Sequence, residues 1–189
     1  MDQTIIDRVA DTLVKAASTF REDQKEAYRR AIVQETNDKS KWVMSQVFEN
    51  AKVAEKRLCP LCDDTGIPHV YLEIGRDRTI SGTFLEEIKE GIKQGLRLLP
   101  GRPMAIKGDD NQRIDQSGGL DEDPAAVAHA PFVICEAEDS KALKLTILML
   151  GGGPAIRGIT YRIFHKHSVE VVLQEIVERA KTGVSQLGC

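Results

Sequence analysis

RLCPLCDDTG, residues 57–66, divides the chain into a helical part and a part that contains strands. Before it, apolar residues recur at helical spacing, and after it the pattern becomes that of short strands mixed with helices. Pro60 stops the helix that runs into the stretch, because proline cannot continue the helical hydrogen-bond ladder. The stretch also carries two cysteines three positions apart, followed by acidic and hydroxyl side chains. It is therefore both a boundary in the fold and a candidate site.

Residues 1–57 are predicted to form a helical segment of three helices. An apolar stripe from Ile5 to Phe20 predicts the first helix, and a more polar helix is expected over 22–36. A third helix is expected from about Ser40. Its inward-facing residues should be Trp42, Val43, Val47, Ala51 and Ala54.

Residues 58–189 are predicted to form an α/β region that is continuous with these helices in one domain. Strands are expected over 69–75, 131–138, 143–150 and 158–164, with a hairpin connection at 138–141. Thr83 and Glu86 form a candidate capping box for a helix, and a final helix should run from Ser168 to near Gly183. It should bury Val169, Val172, Leu173, Ile176 and Val177. The segment 99–125 shows no periodicity and is expected to be a long loop. The predicted class is α+β (α/β), with N-terminal helices followed by a small mixed sheet packed with helices.

Composition excludes several classes of function. A formal charge of −3 argues against nucleic-acid binding, which needs a basic face. No apolar run approaches the roughly 18 residues of a membrane span. The four cysteines are too few for a small disulfide scaffold, and the N-terminus does not resemble a secretory signal. We therefore expect reduced thiols and a cytoplasmic protein.

The two cysteines of CPLC, residues 59–62, are ambiguous when they are considered alone. A redox dithiol usually lies where a strand leads into a helix, whereas here a helix precedes the cysteines. A structural zinc site needs further Cys or His ligands, and His165 and His167 are more typical of surface residues. Neither pattern is decisive.

Two glycine-containing segments are further candidates. In DDTG, Asp64 and Thr65 offer a carboxylate and a hydroxyl, although an ordinary Asx turn explains the same residues. Three glycines at 151–153 follow an apolar strand and allow the backbone to approach a small anion, or simply form a hairpin. Cations in or beside the long loop are also candidates for binding a carboxylate. They are Arg97, Arg102, Lys107 and Arg113.

The ordered set of motifs resembles the iron–sulfur (class I) fumarate hydratases and the alpha subunits of L-tartrate dehydratases. The motifs are LCDDTG at 61–66, LR at 96–97, KGDDN at 107–111, AHAPFV at 128–133, LGGG at 150–153 and a later cysteine. This resemblance implies a hydro-lyase that adds water to, or removes it from, a dicarboxylate of the fumarate/malate or tartrate type. It also implies a [4Fe–4S] cluster held by three cysteines, with one iron open to substrate.

The resemblance assigns roles residue by residue. Cys62 and Cys189 would be cluster ligands, while Cys59 would have a packing role. Asp64 would be an active-site acid or hydrogen-bond partner, with Thr65 beside it in the pocket. Asp63 stands where many members have glutamine, so its charge near an anionic substrate needs a partner.

Substrate binding would fall to Arg97 and to the backbone at Gly153. Arg97 would bind a substrate carboxylate, with Arg102 as the fallback, and Gly153 would approach the dicarboxylate closely. The third cysteine and a beta subunit or C-terminal domain are absent from the sequence. We therefore expect an incomplete alpha part of a homo- or hetero-oligomer, inactive by itself. The alternatives are a non-catalytic subunit and a small zinc-binding or interaction module.

Overall fold

The structure, a computed structural model, describes residues 1–62, 66–99, 106–115, 117–127, 130–151, 163–164 and 166–187. The chain divides into two compact units, Met1–Ile156 and Arg157–Cys189. In the described ranges, no helix is both long and apolar enough to cross a membrane. All the strands that the structure describes belong to the first unit, so that unit positions most of the candidate site.

The elements follow the predicted order, with helices first and then strands mixed with helices. The helices are α1 (Gln3–Ser18), α2 (Glu22–Gln34), α3 (Asp38–Arg57), α4 (Gly82–Leu98), α5 (Asp110–Asp115) and α6 (Val169–Leu187), with a 3-10 turn at Pro124–Ala126. The strands are β1 (Ile67–Ile74), β2 (Val133–Glu136) and β3 (Leu143–Leu150). The predicted α+β class is confirmed.

Side-chain caps at Asp2, Asn37 and Ser81 begin α1, α3 and α4. Each cap accepts a hydrogen bond from a backbone N–H of the first turn, which has no partner within the helix. The prediction that Thr83 and Glu86 cap α4 is wrong. The helix begins earlier, and Ser81 already supplies the capping oxygen.

The core lies between α1, α4 and one face of the sheet. Two glycines of α4 allow α1 to approach its backbone. A Cβ at Gly91 would lie 2.6 Å from the Cβ of Val9, and one at Gly95 would lie 3.1 Å from the Cβ of Leu13. The largest fully buried side chains are contributed by both helices and by the central strand; they include Leu13, Val70, Leu72, Ile88 and Ile92.

β1 is the central strand of the three-stranded sheet, in the order β2-β1-β3. β2 runs parallel to β1, whereas β3 is antiparallel, with Val70 opposite Ile147. The prediction that residues 138–141 join β2 and β3 as a hairpin is wrong, because these strands lie on opposite sides of β1. The connection instead passes the end of β1, where the backbone N–H of Gly75 donates to the carbonyl of Ala142 at 2.9 Å.

α2 and α3 form a hairpin that packs largely on itself. The rings of Tyr28 and Phe48 stack at a centroid distance of 6.3 Å, and Phe20 stacks on Tyr28 at 5.3 Å. The Lys25 Nζ to Glu55 Oε2 distance of 2.9 Å adds an ion pair between the helices. No residue of α2 is buried.

The prediction for the inward face of α3 is partly wrong. Ala51 and Ala54 are buried as expected, but Trp42, Val43 and Val47 are exposed by 62%, 45% and 39%. The periodicity identified an apolar stripe, but only the part of α3 from Phe48 onward has a neighbour that buries it. The start of the stripe is left on the surface.

The long loop is less irregular than expected. The long loop contains α5, the 3-10 turn and a short antiparallel bridge between Ile106 and Leu120. The expected strand over 158–164 lies mostly outside the described residues.

α6 begins after Ser168 as predicted but continues past Gly183. Its apolar residues were expected to be buried, yet the described part of its unit holds no second helix or strand to cover them. Val169, Leu173, Ile176 and Val177 are exposed.

The close approach of α1 and α4 gives a stability prediction. Gly91→Ala should lower the free energy of unfolding by about 1–3 kcal/mol, because overpacking outweighs the better helix propensity of alanine. Gly82→Ala is the matched control, since a Cβ there meets nothing within 4 Å. Urea unfolding of both variants measures the difference. Equal stability of the two variants would show that the helices separate without cost.

Candidate functional site

The segment before Cys62 is anchored to two helices. The backbone N–H of Leu61 donates to the carbonyl of Ala17 at 3.0 Å, and its carbonyl accepts from Asn50 Nδ2 at 2.9 Å. Leu58 ends α3 in the left-handed conformation with φ of 52°, which turns the chain toward these anchors. Cys62 is exposed directly after this fixed point.

Gly66, the last residue of the DDTG motif, and Leu150, the residue before the three glycines, lie at one end of the sheet. Gly66 ends the DDTG motif with φ of 92°, and a Cβ there would lie 3.0 Å from the backbone of Leu150. Ile67 and Leu150 are register partners at this end of β1 and β3. The end of the LCDDTG motif and the start of the LGGG motif are distant in sequence but therefore lie beside each other.

The AHAPFV motif reaches the same end of the sheet. The backbone N–H of Ala130 donates to the carbonyl of Pro68 at 3.2 Å, next to the beginning of β1. β2 then runs parallel to β1 from Val133. Gly66, Ala130 and Leu150, which belong to three of the motifs that carry the resemblance, thus lie around the N-terminal end of β1.

Arg97, at the C-terminal end of α4, forms a bidentate ion pair with Asp123. Its Nε donates to Oδ1 at 3.1 Å and its Nη2 donates to Oδ2 at 2.8 Å. The hydrogen bonds that Arg97 donates to Asp123 raise the pKa of Arg97 and lower the pKa of Asp123. Asp123 Oδ1 also accepts from the backbone N–H of Ala125 and so begins the 3-10 turn. This guanidinium is held in the geometry that binds a carboxylate.

The KGDDN motif lies beside this pair. Lys107 Nζ is 3.2 Å from Glu122 Oε1, next to Asp123 in the chain. Asp109 and Gln112 exchange hydrogen bonds at the start of α5, in the manner of a capping box. The motif therefore has a visible structural role, in a short helix and in the fold-back of the long loop.

Several predicted site residues lie outside the described residues. They are Asp63, Asp64, Thr65, Arg102, Gly153 and Cys189. His129 of the AHAPFV motif and His165 lie outside the described residues as well. In the described residues no three His, Cys, Asp or Glu side chains are grouped so as to hold a metal ion. The assigned roles of these residues, and the convergence of Cys62 with Cys189, stay predictions.

Three contributors to this region were not identified from the sequence. Asn50 and Leu61 fix the segment before Cys62, and Asp123 binds Arg97. Asn50 lies on an exposed helix surface, where polar residues are common, so the sequence gave no indication that it binds Leu61. Asp123 precedes a proline in DEDP, a typical start of a short turn, which was the one available indication.

Comparison with known proteins identifies the family. The family model for fumarate hydratase (Fumerase) matches residues 6–188. The chain belongs to the class I fumarate hydratase family. A protein of Methanocaldococcus jannaschii named L(+)-tartrate dehydratase subunit alpha is 32% identical over 151 residues, which are 79% of this chain and 50% of the relative. This member of the fumarate hydratase family thus spans about half the length of that relative. The family predicted from the ordered motifs is confirmed.

The Arg97–Asp123 pair gives a prediction with a defined pH dependence. Because the pKa of Asp123 is lowered in the folded state, the pair stabilises the fold above the unfolded pKa of about 3.9. This contribution is lost as the pH falls through the lower folded pKa. Asp123→Asn should therefore reduce stability at neutral pH.

The difference between Asp123→Asn and the unchanged chain should shrink as the carboxyl becomes protonated. Urea midpoints measured from pH 7 down to pH about 2.5 test this. A matched control is Glu122→Gln, which removes a neighbouring charge but leaves the bidentate pair intact. A gap that stays constant over the whole pH range would contradict the assignment.

Proposed function

We propose that this chain is an alpha-subunit part of an iron–sulfur hydro-lyase that hydrates and dehydrates a dicarboxylate of the fumarate/malate or tartrate type. The observation that carries the proposal is the family match over residues 6–188. The meeting of the Gly66, Ala130 and Leu150 segments at one end of β1 supports it, because a site built from distant motifs needs such a meeting point.

The donor chemistry of Cys62 fits one ligand of a [4Fe–4S] cluster. Cys62 is exposed rather than packed in the core, and its backbone is anchored through Leu61. Clusters of this type are held by cysteine thiolates, and Cys189 is the proposed second ligand. When bound, the cluster would supply a Lewis-acidic iron for the substrate hydroxyl and carboxylate. The third thiolate would come from outside this chain.

The proposed roles of the protein side chains follow from their chemistry. Asp64 would hold or transfer a proton near the substrate hydroxyl, and Thr65 would donate or accept a hydrogen bond beside it. The absence of a side chain at Gly153 would allow the backbone to approach the dicarboxylate. Asp63 would need a cationic partner, since an unpaired carboxylate there repels an anionic substrate.

Arg97 is the proposed contact for one substrate carboxylate. In the structure its Nε and Nη2 already bind Asp123, so the guanidinium is ordered and half of it is occupied. Nη1 takes no part in that pair. A substrate carboxylate would therefore bind through Nη1, or would exchange with Asp123 as the bidentate partner.

A further polypeptide is proposed to complete the enzyme. The M. jannaschii relative is named as an alpha subunit, and a subunit of that name implies a beta partner. The face of the sheet that points away from the core presents Tyr71, Val133 and Leu148, which are exposed by 40%, 48% and 47%. Large apolar side chains on a sheet face are usually covered by another layer. This supports a partner that covers the sheet face. The proton-abstracting base of the complete enzyme is proposed to lie on that partner.

Cluster reconstitution tests the ligand assignment. Anaerobic incubation with iron and sulfide, in the presence of a beta-type partner and the segment with the third cysteine, should give a brown protein with bound iron. Cys62→Ser should lose most of that iron, whereas the matched control Cys59→Ser should retain it. Iron and sulfide content and visible absorption are the measurements.

The same variants discriminate the alternative of a zinc module. A zinc site at CPLC would need both Cys59 and Cys62, and would hold zinc in aerobically purified protein until a chelator removes it. Retention of the iron cluster by Cys62→Ser would reject the cluster assignment. Loss of stoichiometric zinc in both variants would favour the zinc module instead.

A further inference from the structure

Asp123 is held in place beside Arg97 by the turn that it begins. Its Oδ1 accepts a hydrogen bond from the backbone N–H of Ala125 at 3.0 Å, and its carbonyl accepts one from the N–H of Ala126 at 3.0 Å. Ala125 is buried, and Val127, which ends the turn, packs against the hydrophobic core. The 3-10 turn therefore ties the Asp123 carboxylate to the core of the first unit.

Asp123 occupies one edge of the Arg97 guanidinium and leaves a second edge open. Nε and Nη2 each donate one N–H to the carboxylate, at 3.1 and 2.8 Å. A guanidinium carries five N–H donors in a rigid plane, so the remaining donors are on Nη1 and on the outer side of Nη2. These form a second fork that fits a carboxylate. The Arg97 side chain is 50% exposed, so a ligand can reach that fork.

The Arg97–Asp123 pair lies at the end of the sheet where β1 begins. Because β2 is parallel to β1, the chain must return to the start of β1 before β2 can form, and α4 makes that return. The 17 residues of α4 and the 8 residues of β1 each span about 25 Å. The last turn of α4, which contains Arg97, is therefore level with the first residues of β1. Beyond the 3-10 turn, Ala130 bonds the carbonyl of Pro68 at this same end.

We propose that Asp123 is a positioning residue for substrate binding, which holds Arg97 by its Nε edge and presents the Nη1 edge to one carboxylate of the dicarboxylate. This inference rests on the proposed function, in which Arg97 contacts the substrate, and it names the residue that orients that contact. Asp123 stays bound to Arg97 when substrate binds. Its release would also break the hydrogen bond to Ala125 that begins the 3-10 turn.

The benefit of this arrangement is conformational entropy. A long side chain that is immobilised only when its ligand binds weakens the affinity by about two- to ten-fold. Asp123 orders Arg97 when the chain folds, so the substrate does not have to order it. The pKa of Asp123 is lowered by the hydrogen bond from Arg97, so the carboxylate is charged and keeps this hold at neutral pH.

Steady-state kinetics of the reconstituted complex, with fumarate and with L-tartrate as substrates, test the inference. Asp123→Asn should raise KM about five-fold, because Arg97 is no longer ordered before binding. It should leave kcat unchanged, because the interaction is equally strong in the ground state and the transition state. Asparagine retains an oxygen for the N–H of Ala125, so circular dichroism should show an unchanged fold.

Glu122→Gln is the matched control for charge. It removes one negative charge from the residue next to Asp123, as Asp123→Asn does, but it leaves the bidentate pair intact. It should not raise KM. A rise of the same size in both variants would show that the local charge, and not the hold on Arg97, sets the affinity, and would overturn the inference.

A double-mutant cycle tests whether Asp123 acts through Arg97. Arg97→Lys keeps the positive charge but lacks the planar fork that a carboxylate holds at two points. Adding Asp123→Asn to Arg97→Lys should therefore raise KM no further. Fully additive effects of the two substitutions would contradict a positioning role.

The chain without its partner gives a readout that is independent of activity. In ¹⁵N-labelled chain, the Nε–Hε signal of Arg97, assigned by its loss in Arg97→Lys, should report an ordered side chain whose Hε exchanges slowly with water. Asp123→Asn should make this group mobile and its exchange fast, whereas Glu122→Gln should change neither. Equal mobility of Arg97 in the unchanged chain and in Asp123→Asn would overturn the inference.

The outcomes separate this inference from the proposed function. A lower KM in Asp123→Asn would mean that Asp123 competes with substrate for Arg97, and an unchanged KM would mean that it has no role in binding. In an active complex, either result overturns the inference alone. A complex of the unchanged chain that turns over neither substrate, although it holds its cluster, would overturn the proposed function and this inference with it.

Discussion

The packing of α1 on α4 through two glycines is the contact on which the rest of the first unit depends. Gly91 and Gly95 remove the side chains that would keep the helices apart, so that Val9 and Leu13 reach the α4 backbone. The helix pair then presents a continuous apolar surface to β1 and β3. That surface holds the central strand in place, and the central strand carries at its N-terminal end the segments that form the candidate site. A close-packed interior transmits a change in one contact to its neighbours, so a change between α1 and α4 should also reach β1.

The sequence was sufficient wherever a pattern depended on local geometry. The helical period over 5–20 and the run LKLTILML identified α1 and β3, because amphipathic spacing and apolar runs depend only on the residue's own element. It was insufficient where a distant neighbour decides the outcome. Trp42 and Val47 belong to the same stripe as Ala54, yet only the end of that stripe meets another element. Strand order also depends on distant neighbours, since no sequence pattern within β2 or β3 indicates that β1 lies between them.

The candidate site shows the same division. The order of the motifs was enough to identify the family, whereas the ligand role of Cys62 rests on the resemblance and stays a prediction. The partner of Arg97 could not be selected, since Asp123 is one of several acidic residues in the long loop. The anchors of Cys62 were equally hidden, because one of them is the main chain of Leu61, which has no signature in a sequence. The structure therefore adds mainly the residues that position the side chains with a proposed chemical role.

The central position of β1 also has a consequence for synthesis of the chain. On a ribosome, β1 emerges well before β2 and β3, so its backbone N–H and C=O groups must wait for partners that are separated from it by α4 and the long loop. Contacts of such high sequence separation are closed slowly, because the intervening chain loses entropy when they form. α1 and α4 can shelter one face of β1 in that interval, but both its edges stay open. Nascent chains of this protein should therefore pass through a period of vulnerability to edge-to-edge aggregation that ends only when β3 has been made.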